Sequence, residues 1–286
     1  MDQFVQAHRR QLQEVFGTEQ PVAFVTGSRA PRVGRAIAME LRRGGFNVVT
    51  HGHRSANAES HKPSQSASAA NGTSAVDLLA DSLELTGGIE DEANHEEWLH
   101  RIMDRYGRID VLVNSAAIWD PKPLEMTGKA DYEHFFQVNT LGTAMACKTF
   151  GLQMTHQSSG GSIINIGDWA VARPYRDFAA YMASKGSIPT MTRAMAVEFA
   201  TRNPRVRVNS VLPGPVLLDQ SITEERTEQI RQSCLLKRQG TAGDVARAVA
   251  FLVASPFITG VNLPVDGGRS IYAGDFTDTI AHPDVS

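Results

Sequence analysis

Between Pro21 and His53 the chain reads PVAFVTG (21–27), SRAPRVG (28–34), RAIAMELRRGG (35–45) and FNVVTHGH (46–53). An apolar β-type run, a glycine-bearing turn, a helical pattern and a second β-type run follow one another. This is the signature of βαβ units wound around a parallel sheet. The alternation returns in IDVLVNSA (109–116), GSIINIGD (161–168) and VRVNSVLPG (206–214), each preceded by a segment with apolar residues at i, i+3 and i+4.

At least six parallel strands are predicted. The fold class is therefore α/β: a Rossmann-like doubly wound parallel sheet with helices on both faces, in a single domain over residues 21–272. Residues 1–20 read as a short amphipathic N-terminal helical extension, without the apolar run of a signal peptide. Residues 273–286 read as a C-terminal tail. The stretch 56–75 is rich in Ser and Ala, carries Pro63 and lacks apolar periodicity, so it reads as a flexible insertion that shortens or displaces the helix between the second and third strands.

The 286 residues have a net charge of -3 and are 42% hydrophobic, ample for a buried core. No excess of basic residues exists to neutralise a phosphate backbone or an anionic membrane. A small molecule is the expected partner, with no nucleic acid and no membrane. Two cysteines, Cys147 and Cys234, stand far apart without metal-ligand spacing. No metal site is expected, and a reduced cytoplasmic setting fits.

The turn from Thr26 to Gly34 includes Gly27, Arg29, Arg32, Val33 and Gly34 and precedes a helix expected to start near Arg35. Backbone N–H groups and the positive helix terminus there suit a pyrophosphate. Twenty residues on, a chain that binds NAD usually carries a carboxylate for the ribose. Here the sequence is His53-Arg54-Ser55, so charge and hydroxyl favour the 2′-phosphate of NADPH, with Arg32 as a second contact. Glu84 and Leu85, at the end of the third strand, are placed near an adenine. Asn114 and Ala116, after the fourth, are placed near a ribose.

Tyr181 and Lys185 lie four residues apart on a predicted helix, one turn apart on the same face. A neighbouring ammonium favours phenolate and brings proton transfer from a phenol into range. Reduction of a carbonyl or imine by hydride needs such a donor.

Taken together, the glycine turn, NSAA (114–117), Asn139 in QVNTLG (137–142), Tyr181-x3-Lys185, Pro213-Gly214 and TGVNLPVDGG (259–268) resemble the short-chain dehydrogenase/reductase family over Pro21 to Gly268. The resemblance implies a water-mediated proton relay from Asn139 to Lys185, hydrogen bonds from Lys185 to the nicotinamide ribose, and a carboxamide held by Pro213, Gly214 and Val216. It also implies a homotetramer, or at least a homodimer, through the helices over Phe135–Phe150 and Tyr181–Ala200. Where the family commonly has a serine thirteen residues before the tyrosine, this chain has Asp168. Asp168, His53-Arg54-Ser55 and Trp119 in NSAAIWDPKP (114–123) together are similar to pteridine and dihydromonapterin reductases. There the ring at Trp119 would stack a pterin against nicotinamide, and Asp168 would accept from substrate N–H groups. Ala117, Ile118 and the extra Pro31 depart from that subgroup.

The expected activity is NADPH-dependent hydride transfer to a C=N or C=O bond. A 3-oxoacyl or sugar/ketone reductase of the same family is the alternative, as is a non-catalytic NADPH-binding sensor, which would need no Asn139, Tyr181 and Lys185. The segment 217–239 is poor in apolar residues and follows the strand expected to hold nicotinamide, so it reads as a substrate lid.

Overall fold

The computed structural model describes residues 10–53, 77–217 and 222–272. Arg54, Ser55, the 56–75 insertion and the 273–286 tail lie outside these residues. Seven strands form one sheet in the order β3-β2-β1-β4-β5-β6-β7, and every pairing is parallel. The strands are β1 (Val22–Val25), β2 (Asn47–Gly52), β3 (Leu83–Thr86), β4 (Val111–Asn114), β5 (Gly161–Ile166), β6 (Val206–Pro213) and β7 (Asn262–Val265). The seventh comes from NLPV (262–265), one more than the minimum of six read from the sequence.

Strands β1, β4, β5 and β6 are buried throughout, because helices cover both faces of a parallel sheet. On one face pack α2 (Val33–Arg43) and α8 (Ala242–Ala254), with Ile37, Leu41, Val245 and Val249 in one apolar cluster with Val25, Val113 and Val211. On the other lie α3 (Glu92–Tyr106), α5 (Thr143–Thr155) and α6 (Ala179–Ala200), with Trp98, Phe150 and Phe199 clustered against Phe24, Leu112 and Ile163. Residues 10–16 are helical (α1); Leu12 and Phe16 are buried, and Phe16 sits edge-on to Phe46 at 5.8 Å. Arg108 ties this extension down, donating to the Phe16 carbonyl at 2.7 Å while paired with buried Asp110.

Two boundaries differ from the sequence reading. Helix α2 begins at Val33, with Arg32 as N-cap, two residues before the predicted start near Arg35: Pro31 fixes the turn early, and Val33 and Gly34 already belong to the helix. The helical run expected over 135–150 is split into α4 (Lys129–Phe135), a π-helical stretch Phe136–Gly142, and α5.

The end of β2 carries a buried polar residue that the sequence reading passed over. His51 Nδ1 accepts from the Gly27 N–H at 3.1 Å, which leaves Nε2 to donate to the Gly87 carbonyl at 3.1 Å. The ring also packs on Trp98 at 4.6 Å. One neutral imidazole thus joins the ends of β1, β2 and β3, and burial pulls its pKa from 6.5 down to about 4.

The unfolded chain takes up this proton near pH 6.5 and the folded chain does not until about pH 4. The stabilisation is therefore full above 6.5 and is lost as pH falls through that window, on the order of 3 kcal/mol. Thermal melting between pH 7.5 and 4.5 should show a steep acid loss in the unmodified protein and a shallower one in His51→Gln; parallel curves would contradict this.

Candidate active site

In this strand order the connections leave β1 and β4 toward opposite faces, so their C-terminal ends flank a crevice. Thr26 closes its floor: its N–H donates to the Val113 carbonyl at 3.0 Å, and its Oγ1 accepts from the Ser115 and Ala116 N–H groups, both at 3.0 Å. Gly27, at φ 64°, lies so close to this strand end that a Cβ would fall 2.8 Å from the Ala116 Cα. A Cβ on Gly34 would fall 2.6 Å from the Gly27 carbonyl oxygen. Glycine at both positions lets turn, helix and strand end touch.

Helices α3, α7 (Glu224–Gln232) and α8 are capped by the side chains of Asp91, Thr223 and Thr241, whereas α2, like α6, has no side-chain cap. Its Arg35 N–H turns back to the Arg32 carbonyl at 3.1 Å, so the Val33 and Gly34 N–H groups are left for another acceptor. A dinucleotide pyrophosphate has the matching charge and acceptor chemistry, so the turn fits that group.

Several side chains expected near the cofactor make contacts within the protein. Leu85 is fully buried in the apolar core, since its strand position points inward. Glu84 pairs with Arg29 at 3.0 Å, a bond between the glycine turn and β3. The Asn114 side chain turns into the protein and donates to Asn165 Oδ1 at 2.9 Å. Val216 packs its side chain into the core, leaving only backbone for a ligand. Arg32 is exposed beside the turn and His53 is exposed just after β2. Pro213 ends β6; Gly214 donates to the Val265 carbonyl at 2.9 Å, and a Cβ on it would meet the Asp266 Cα at 2.5 Å.

The expected proton-transfer residues do converge. Tyr181, on the first turn of α6, donates its hydroxyl to Asp168 Oδ2 at 2.7 Å, and Asp168 Oδ1 accepts from the Ala170 N–H at 2.8 Å. Lys185, one turn on, donates to the Ile166 carbonyl at 2.9 Å. Asn139 sits in the π-helical stretch, accepting from the Ile118 N–H at 2.9 Å and donating to the Ile118 carbonyl and Ser184 Oγ, both at 3.0 Å.

Their electrostatics correct the sequence reading. Lys185 was expected to favour the phenolate; instead burial, then the charge of Asp168 and its hydrogen bond, hold the Tyr181 phenol well above its usual pKa. Burial likewise pushes the Asp168 carboxyl up, opposed by the Ala170 N–H, Tyr181, Lys185 and Arg269. Burial pulls Lys185 down to about 8, with Asp168 opposing. Tyr181 is thus a fully protonated donor aimed at a carboxylate, and a carbonyl oxygen or imine nitrogen arriving beside it can take the same hydrogen bond.

An aromatic wall flanks this pair. Trp119, 49% exposed and so no core residue, lies parallel to Phe178 at 4.9 Å. Phe178 stands edge-on to Tyr175 at 4.9 Å and to Tyr181 at 6.1 Å. Sequence reasoning missed Phe178 and Tyr175. The signal was the density of rings between Asp168 and Tyr181, namely Trp169, Tyr175 and Phe178.

Residues 31–270 match the family described as Enoyl-(Acyl carrier protein) reductase. A 3-oxoacyl-[acyl-carrier-protein] reductase of Homo sapiens is 33% identical, with 86% of this chain and 95% of that protein covered. The granaticin polyketide synthase putative ketoacyl reductase 2 of Streptomyces violaceoruber is 32% identical, covering 88% and 97%. The chain belongs to the short-chain dehydrogenase/reductase family. The ligand-free aldohexose dehydrogenase of Thermoplasma acidophilum has the same fold, with a TM-score of 0.74, 25% identity and coverage of 93% and 98%. As a short-chain dehydrogenase/reductase the protein is an oxidoreductase, and family members use nicotinamide dinucleotides. None of its described helices is long and apolar enough to cross a membrane.

Because the Asp168 charge and hydrogen bond both hold Tyr181 in the phenol form, Asp168→Asn should move its titration to lower pH. Ultraviolet difference titration, with Tyr181→Phe to identify the signal, reads this directly; an unmoved Tyr181 signal would contradict the coupling.

Proposed function

We propose that this short-chain dehydrogenase/reductase is an NADPH-dependent reductase acting on a C=N or C=O bond in a planar nitrogen heterocycle of pteridine type. The observation that carries the reading is the half-buried 2.7 Å hydrogen bond from Tyr181 to Asp168 beside the stacked Trp119 and Phe178. A carboxylate suits a substrate bearing N–H donors, and the parallel rings suit a flat one. NADPH supplies the hydride when bound. Tyr181 gives its hydroxyl proton to the substrate atom, Asp168 accepts from the substrate and orients it, and Lys185 and Asn139 carry the return of a proton to Tyr181. Trp119 forms one wall. The turn Gly27–Gly34 with Arg29 and Val33 takes the pyrophosphate side, Ala116 lies by a ribose, and Pro213, Gly214 and the Val216 backbone take the nicotinamide side.

Arg54, Ser55 and Arg32 are the residues we assign to the 2′-phosphate. Exposed Leu152 on α5 and Val197 on α6 support a homodimer or homotetramer through these helices. The two free, buried cysteines are compatible with a reducing cytoplasm. A second reading, a 3-oxoacyl reductase in which Asp168 serves only as a hydrogen-bonding orienter, is favoured by the relatives of that activity at 32–33% identity.

A panel of dihydrobiopterin, dihydrofolate, acetoacetyl thioesters and simple diketones with NADPH separates the two. Preferred turnover of the dihydropterins is expected, and turnover confined to the thioesters would establish the second reading. Tyr181→Phe should keep NADPH binding and lose at least about a hundredfold in kcat on any accepted substrate.

For the cofactor, Arg54→Asp should reverse the preference for NADPH over NADH in a fluorescence titration. Equal binding of the two cofactors by the unmodified protein would overturn the assignment.

A further inference from the structure

Beyond Asp168 the chain gathers cations from three separate segments. Arg269, in the turn after β7, places its guanidinium 4.5 Å over the ring of Trp169, the residue next to Asp168. Arg173, on the same loop as Trp169, donates to the carbonyls of Arg269 and Tyr272. Lys237, after α7, lies 4.5 Å over the Tyr272 ring and donates to its hydroxyl at 3.1 Å. Arg226, on α7, faces Arg269 closely enough for its charge, with that of Arg173, to oppose the guanidinium.

Among the described residues none of the four meets a carboxylate at ion-pairing distance. Four acids of the same segments are engaged elsewhere. Asp266 accepts from the Gly268 and Ser270 N–H groups, Asp168 from Tyr181 and Ala170, and Glu224 and Glu228 pair with Arg231. The charges of Arg269 and Asp168 act on each other, but no carboxylate pairs directly with this partly buried guanidinium, and burial lowers its pKa. An anion in contact with these side chains would supply the paired counter-charge.

We propose that Arg173, Arg226, Lys237 and Arg269 form an anion-binding rim, and that the natural substrate carries a carboxylate or phosphate group beyond the bond to be reduced. The inference rests on the reading of Asp168 and Tyr181 as the reducing end of the site. It adds that recognition is split: the aromatic wall and Asp168 take the ring, while the rim takes a charged tail. Arginine forks suit planar oxyanions in particular.

Calorimetric titration of the full chain, saturated with its nicotinamide cofactor, tests this with 4-formylbenzoate, its methyl ester and 4-formylphenyl phosphate as probes. At least one anion should bind about tenfold or more tightly than the ester, and the better of the two tells a carboxylate tail from a phosphate. The gap should shrink by about tenfold in Arg173→Gln/Lys237→Gln, whose side chains are exposed, and in Arg269→Met, and it should narrow as salt is raised. Ester binding as tight as both anions, binding of no probe, or a gap that survives all three changes would overturn the proposal. Since the readout is binding, a protein that holds the anions yet reduces no heterocycle would count against the proposed function and leave the rim standing.

Discussion

The hydroxyl of Thr26 is the constraint on which the site depends. By accepting both the Ser115 and Ala116 N–H groups, it fixes the end of β4 against the end of β1, at the one place in the sheet where the connections diverge. That contact is possible only because Gly27 and Gly34 have no side chain. His51 extends the same clamp to β2 and β3 through Gly27 and Gly87. Crevice, glycine turn and uncapped α2 terminus follow from this one seam, and so does the position of Ile118, whose backbone holds Asn139 from both sides.

Downstream of that seam the chemistry is governed by burial. Asp168, Tyr181 and Lys185 are each shifted toward their neutral forms, and the geometry decides how far each yields. Tyr181 gives its hydrogen bond to a carboxylate and Lys185 gives one to a carbonyl, so the phenol is an acid held in reserve. A serine at position 168 would accept or donate; a carboxylate accepts only, while ionised. This one difference turns the site toward partners that bring their own hydrogens.

The fold was legible because its evidence is periodic: apolar runs such as VLVN and SIINI alternate with helical patterns, and parallel strands buried on both faces announce themselves by composition. The placement of Tyr181 and Lys185 one turn apart on α6 was legible, because their spacing fixes it. The site was not legible where tertiary contacts decide. Nothing in the sequence tells that Glu84 reaches Arg29, that Leu85 and Asn114 turn inward, or that burial and then Asp168 raise the Tyr181 pKa. His51 and Arg269 are the same case, each meaningful only through what folds against it.

The central claim is that Asp168, acting on Tyr181, sets which substrate the enzyme reduces. The most direct test is the ratio of kcat/KM for dihydrobiopterin to that for an acetoacetyl thioester, measured in the unmodified enzyme and in Asp168→Ser. The account predicts a ratio that falls by about a hundredfold on substitution, the equivalent of about 2.7 kcal/mol, with NADPH affinity unchanged. A ratio that stays the same would contradict it.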